Sequence, residues 1–132
     1  MNIQTIREFQ TRNFRVVVEA VEDPYVDVSW DETGETQAKL ASGEWQYFGV
    51  QATVFHRHLG EISRDFLGGC IYADPAEFQD HRQCGAQTRA LRAQGSAAIC
   101  GSYFSDMVRT VCREARQALL AARSVRVREV PA

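Results

Sequence analysis

Gln46-Tyr47-Phe48-Gly49-Val50-Gln51-Ala52-Thr53-Val54-Phe55-His56 puts Phe48, Val50, Ala52 and Val54 in alternation with Gly49, Gln51 and Thr53. Successive side chains of a strand point to opposite faces, so this is the pattern of a half-buried β-strand. His58-Leu59-Gly60 follows as a turn, with Gly60 free to take positive φ. Glu61 to Leu67 then returns as the antiparallel partner, with Ile62 and Phe66 expected to point inward. Gly68-Gly69 interrupts the run as a bulge does, and Cys70-Ile71-Tyr72 completes it.

Upstream, Phe14-Arg-Val-Val-Val-Glu-Ala-Val-Glu22 is rich in β-branched residues and supplies another strand, with Phe14, Val16, Val18 and Ala20 on one face. Asp23-Pro24 ends it. Residues 24–34 read as a loop in which Val26–Trp30 could add a short edge strand. Downstream, Phe104, Met107, Val108, Val111, Ala115, Ala118, Leu119 and Ala122 recur at three- and four-residue spacing. They define an amphipathic helix over 103–122. A strand face and a helix stripe each need the other for burial. The expected fold is therefore α+β, a small antiparallel sheet of three or four strands packed against a long C-terminal helix, with short peripheral helices.

Those short helices have readable ends. Residues 35–42 lie between Thr33, which can cap the start, and Gly43, where a left-handed residue is wanted; the small apolar side is Ala38, Leu40 and Ala41. Asp74-Pro75-Ala76-Glu77 is a capping signature for a short helix to about Asp80. Another spans 86–94, closed by Gly95. Residues 124–130 alternate like an edge strand or an extended tail.

At 132 residues the chain fits one domain, 1–132. No stretch approaches the ~20 apolar residues of a membrane helix. Met1 to Glu8 carries acid and amide where a secretory signal has an apolar run. A cytoplasmic protein follows as the expectation, without membrane partners and acting as monomer or homodimer. Cys70, Cys84, Cys100 and Cys112 form no CxxC pair. Free thiols are expected, with a Cys84–Cys100 disulfide as the alternative.

Charge is unevenly placed. Residues 1–80 carry six basic and fourteen acidic side chains, and residues 81–132 carry nine arginines against Asp106, Glu114 and Glu129. From Glu19 to Glu44 eight acids stand against Lys39 alone. This stretch is the first candidate site. Asp27, Asp31, Glu32, Glu35 and Glu44, with Trp30 as an aromatic anchor, would face a basic partner surface as a mimic of DNA. The competing interpretation is a solvated loop face. The second candidate is the arginine row Arg109, Arg113 and Arg116, which could contact phosphates in direct nucleic-acid binding. Its competing interpretation is an ordinary polar helix face, and no aromatic residues interleave for base stacking.

Catalytic and metal signals are weak. Ser96, Ser102 and Ser105 lie near glycines but in no Gly-x-Ser-x-Gly, and no phosphate-binding glycine loop is present. His56 and His58, or His81, Cys84 and Cys100, offer nitrogen and sulfur ligands at no standard spacing. No enzyme activity, cofactor or metal is therefore expected.

Two blocks, Phe66-Leu-Gly-Gly-Cys-Ile-Tyr-Ala-Asp-Pro-Ala-Glu-Phe78 and Cys100-Gly-Ser-Tyr-Phe-Ser-Asp-Met-Val-Arg109 with Glu114-Ala-Arg116, carry a resemblance. Together they resemble small uncharacterised proteins of phages, plasmids and integrated elements. Proteins of that setting include anti-CRISPR proteins and other inhibitors of host defence. The resemblance implies a host protein or nucleoprotein complex, such as a CRISPR effector, as partner. It brings no functional residue with it.

Overall fold

In the computed structural model, residues 2–80, 84–95 and 102–129 are described, with side chains of the last segment described for 103–123. Four strands, β1 (Asn2–Gln10), β2 (Phe14–Val21), β3 (Gln46–His56) and β4 (Gly60–Tyr72), form an antiparallel sheet in the order β1-β2-β3-β4. Helix α1 (Glu35–Ser42) lies between β2 and β3. After β4 come a 3₁₀ helix (Pro75–Gln79), α2 (Ala86–Ala93) and α3 (Ser102–Glu129). The fold is α+β. The long C-terminal helix packs on the sheet as its apolar stripe requires.

The central pairing follows the alternation. Val16 faces Val54, Val18 faces Ala52 and Ala20 faces Val50, and all six are buried. From α3, Met107, Val111 and Ala115 close over this face. Fully burying one such side chain contributes ~1.5–3 kcal/mol. Leu119 is only half-buried, and Ala118 and Ala122 are exposed. The reason is length. Tyr103 lies beside Tyr72 at one end of the sheet, Phe104 rests edge-on against Phe78, and Ser63 Oγ donates to the Val111 carbonyl at 2.7 Å nearer the other. Helix α3 thus runs opposite to β4. Residues 112–129 add ~27 Å of helix beyond Val111, whereas only ~10 Å of strand separates Ser63 from Gly60. The helix outruns the sheet. The strand or tail expected over 124–130 is corrected to helix as far as Glu129: the chain meets no Gly or Pro before Pro131 and extends past any free strand edge.

Four further points differ from expectation. Strand β1 was not expected, because its apolar residues Ile3, Ile6 and Phe9 recur every third position. Two register irregularities, at Asn2/Gln4 and Thr5/Arg7, explain that spacing, and Ile6 is buried. Ile62 packs on the core but Phe66 does not: Ile62 is the extra residue between the Val54–Ser63 and Phe55–Glu61 pairs, and this bulge shifts the phase of the strand. Phe66 is 50% exposed on the opposite face, its ring lying across Gly49, where a Cβ would come within 2.5 Å of it. The Gly68-Gly69 bulge, with Gly69 at φ 70, returns Cys70 to the core beside Phe48. Finally, residues 26–30 form no strand, and in α1 the buried residue is Thr36 whereas Ala38 and Ala41 are exposed.

Cys70 and Cys112 are free, but Cys84 is disulfide-bonded, its partner lying outside the described residues. The expectation of free thiols is corrected for Cys84. Chain spacing cannot reveal a bond that depends on which loops meet, and thiol usage no longer argues for a reducing compartment. Among the described residues no helix is long and apolar enough to cross a membrane.

Candidate functional site

The acidic stretch lies at the end of the sheet where β2 ends and β3 begins. Five of its eight carboxylates are engaged within the fold, three of them in holding the loop. Asp23 accepts from the Gly69 amide at 2.9 Å and from the Tyr25 amide at 3.1 Å, tying the loop to β4. Asp27 accepts from the Ser29 amide at 3.0 Å, and that bond with the backbone of Ser29 holds its carboxyl below the usual range. Asp31 accepts from the Gln37 amide at 3.1 Å, capping α1 from outside. Thr33 Oγ1 accepts from the Glu35 amide at 3.3 Å, and Gly34, at φ 75, stands in the cap position itself. Glu19 accepts from Asn2 and from Gln51 on the open sheet face. Glu35 pairs with Lys39 at 3.1 Å.

Glu22, Glu32 and Glu44 are exposed, and their carboxylates have no hydrogen bond or ion pair within the described residues. They are the carboxylates available to a partner. Of the six residues first singled out, Glu32 and Glu44 are free, Glu35 shares its charge with Lys39, and Asp27 and Asp31 serve the loop. Trp30 is half-buried and donates its Nε1 proton to the Asp27 carbonyl at 3.2 Å.

Trp30, Asp31, Glu35, Lys39, Trp45 and Arg89 line a groove of about 400 Å³ between α1 and α2. Lys39 Nζ stands 4.2 Å from the Trp45 ring centroid and the Arg89 guanidinium 5.8 Å from it. In sequence the acidic stretch opposes a single lysine. In the fold α2 brings Arg89 to it, so the groove is mixed in sign. Sequence reasoning also missed Tyr25, which is 84% exposed next to Val26 at 61%. The most accessible aromatic at the acidic end is therefore Tyr25. An aromatic in a loop that lacks apolar periodicity was the available signal.

The arginine row is exposed as expected. Arg109 approaches Asp106 at 3.8 Å, while Arg113 and Arg116 have no ion-pair partner among the described residues. No group of three or more potential metal ligands is gathered among the described residues; His81 and Cys100 lie outside them. Two core groups are held far above their ordinary range by burial. Burial pushes the Cys70 thiol up to about 12, aided by the Asp23 charge. Burial, and then the neighbouring Cys70, push the Tyr72 phenol up to about 12. Both lie in the core, where a neutral group is favoured.

The two blocks that carry the resemblance fall on architecture. Cys70, Ile71, Tyr72, Pro75, Phe78 and Met107 are all buried. Compared with known protein families, characterised proteins and solved structures, the chain matches none.

Proposed function

We propose that this chain is a non-enzymatic binding protein whose acidic end engages a basic surface on a host nucleoprotein complex. One observation carries the reading. Glu22, Glu32 and Glu44 are exposed carboxylates with no partner among the described residues, set around the exposed Tyr25 and the half-buried Trp30 and Trp45. Free charges accelerate and select the encounter, and aromatic surface that loses its water holds the complex. The resemblance to mobile-element proteins nominates defence complexes, CRISPR effectors included, as the first partners to test.

The test compares wild type with Glu32→Lys/Glu44→Lys for association with, and inhibition of, such a complex. Neither residue supports the loop, so the variant keeps its thermal midpoint. The expected result is slower association and lost inhibition. Equal activity of the folded variant removes the acidic end from the mechanism.

A second reading is nucleic-acid contact through Arg109, Arg113 and Arg116. It is favoured by the exposure of all three and the lack of an ion-pair partner for Arg113 and Arg116 among the described residues. Arg113→Ala/Arg116→Ala should then weaken binding to DNA or RNA uniformly across sequences.

A further inference from the structure

The opposite end of the sheet carries a feature that the chain-wise charge count hides. Residues 1–80 have an acidic excess, yet three of their six basic side chains, Arg12, Arg15 and Arg57, come together where the β1–β2 and β3–β4 turns meet. The two turns are tied by the Arg57 amide, which donates to the Asn13 carbonyl at 2.8 Å. With Phe14, Phe55 and His56 these arginines line a depression of about 440 Å³ that has no acidic residue in its wall. Two acids close by in sequence are already matched: Glu8 with Arg15 at 3.2 Å, and Glu61 with Arg64 at 2.5 Å. Arg12 and Arg57 are exposed and without an ion-pair partner among the described residues. The aromatic groups interleave with the charges. The Arg15 guanidinium lies over the Phe55 ring at 4.7 Å from its centroid, and Phe14 meets His56 edge-on at 5.2 Å.

We infer that this hairpin end is a binding site for single-stranded nucleic acid, with Arg12 and Arg57 on phosphates and an unstacked base lying on the Phe55–Arg15 stack. The site is separate from the acidic end and does not depend on the function proposed there. Uncompensated arginines supply the phosphate attraction. A planar group over an aromatic ring gives a face on which any base can stack, which is the ordinary means of holding a single strand without reading its sequence. A depression of this size admits a single base, whereas a duplex keeps its bases stacked inside. Helix α3 outruns the sheet at this same end, carrying Arg116 and Arg123, so the wider field is positive as well.

The experiment is fluorescence anisotropy of a labelled oligothymidylate, the oligouridylate of the same length and a mixed-sequence duplex, each titrated with the full chain over a range of salt. Expected are salt-dependent binding of one or both single strands and weaker binding of the duplex. Arg12→Ala/Arg57→Ala should weaken single-strand binding about tenfold or more and reduce the salt slope by about 0.7 per lost phosphate contact. Phe55→Leu should weaken it about fivefold or more with the salt slope kept, because stacking carries no counterions. Arg89→Ala, at the acidic end, should change nothing. Thermal melts check that each variant is folded, and the two arginine positions are exposed, so that arm survives if Phe55→Leu is unstable. The proposal is overturned if the arginine pair binds as wild type, if the duplex binds tighter than the strands, or if the protein binds anionic vesicles and no oligonucleotide.

Discussion

At the scale of single residues, the least comfortable group in the protein is the Thr53 hydroxyl. Thr53 lies mid-strand on the face opposite the buried Ala52 and Val54, yet it is 2% exposed and its Oγ1 has no hydrogen-bond partner among the described residues. Its cross-strand neighbours on that face are Val17 and Arg64. A buried, unpaired hydroxyl costs ~1–3 kcal/mol. Thr53→Val keeps the shape and removes the polar atom, so it should raise stability by ~1 kcal/mol in chemical denaturation. Cys70 and Tyr72 make a second prediction at this scale. In the unfolded chain they ionise near their ordinary values of 9.0 and 10.0, and in the folded protein only near about 12. Between those values the folded state binds more protons than the unfolded one. Stability is therefore full below about pH 9 and falls as the pH rises toward about 12. Thermal midpoints should be flat from neutrality to pH 9 and decline above it, and Cys70→Ala should make the decline shallower.

At the scale of elements, α1 depends on a side chain outside itself. Its first turn has Gly34 in the cap position, which offers no side-chain oxygen, and Asp31 supplies the carboxylate that receives the Gln37 amide. Asp31→Ala should cost ~1 kcal/mol, as loss of a helix cap does, while Glu32→Ala next to it should leave the denaturation midpoint unchanged. This contrast separates the acids that build the loop from those open to a partner. In α3 the buried stripe stops where the sheet stops. Met107→Ala should cost ~2–5 kcal/mol, the usual range for a core truncation, and Leu119→Ala, at a half-buried position, clearly less. Equal costs would mean that the distal turns of α3 are covered as fully as the proximal ones.

At the scale of the molecule, charge is separated along the strand direction. The β2–β3 end carries the free glutamates, and the turn end carries Arg12, Arg15 and Arg57. Contacts made by the acidic end should weaken as salt rises, since screening shortens to ~8 Å at physiological ionic strength. Surface plasmon resonance of the partner complex at two salt concentrations checks this. Association should slow with salt for wild type and much less for Glu32→Lys/Glu44→Lys. A truncated Tyr25→Ala should instead speed dissociation.

The sequence by itself determined the elements whose signals are local. Alternation over 46–56, the 104–115 stripe, the Asp74-Pro75 cap and the glycines at 43 and 95 placed β3, α3, the 3₁₀ helix and the ends of α1 and α2. Side-chain periodicity and capping act within a few residues, so they can be read along the chain. Bulges defeat such reading, because one inserted residue reverses the phase of all that follows; that is why β1 went unseen and Phe66 was assigned to the wrong face. The acidic stretch was legible as a charge run, but the division of its carboxylates between loop support and open surface was not. Hydrogen bonds such as Asp23 to Gly69 join residues far apart in sequence. Only the tertiary structure brought Arg89 to Trp45, seated Tyr25 in the open and joined two turns into one basic end. Charge counted along a chain says nothing of charge in space until strand pairing decides which turns are neighbours.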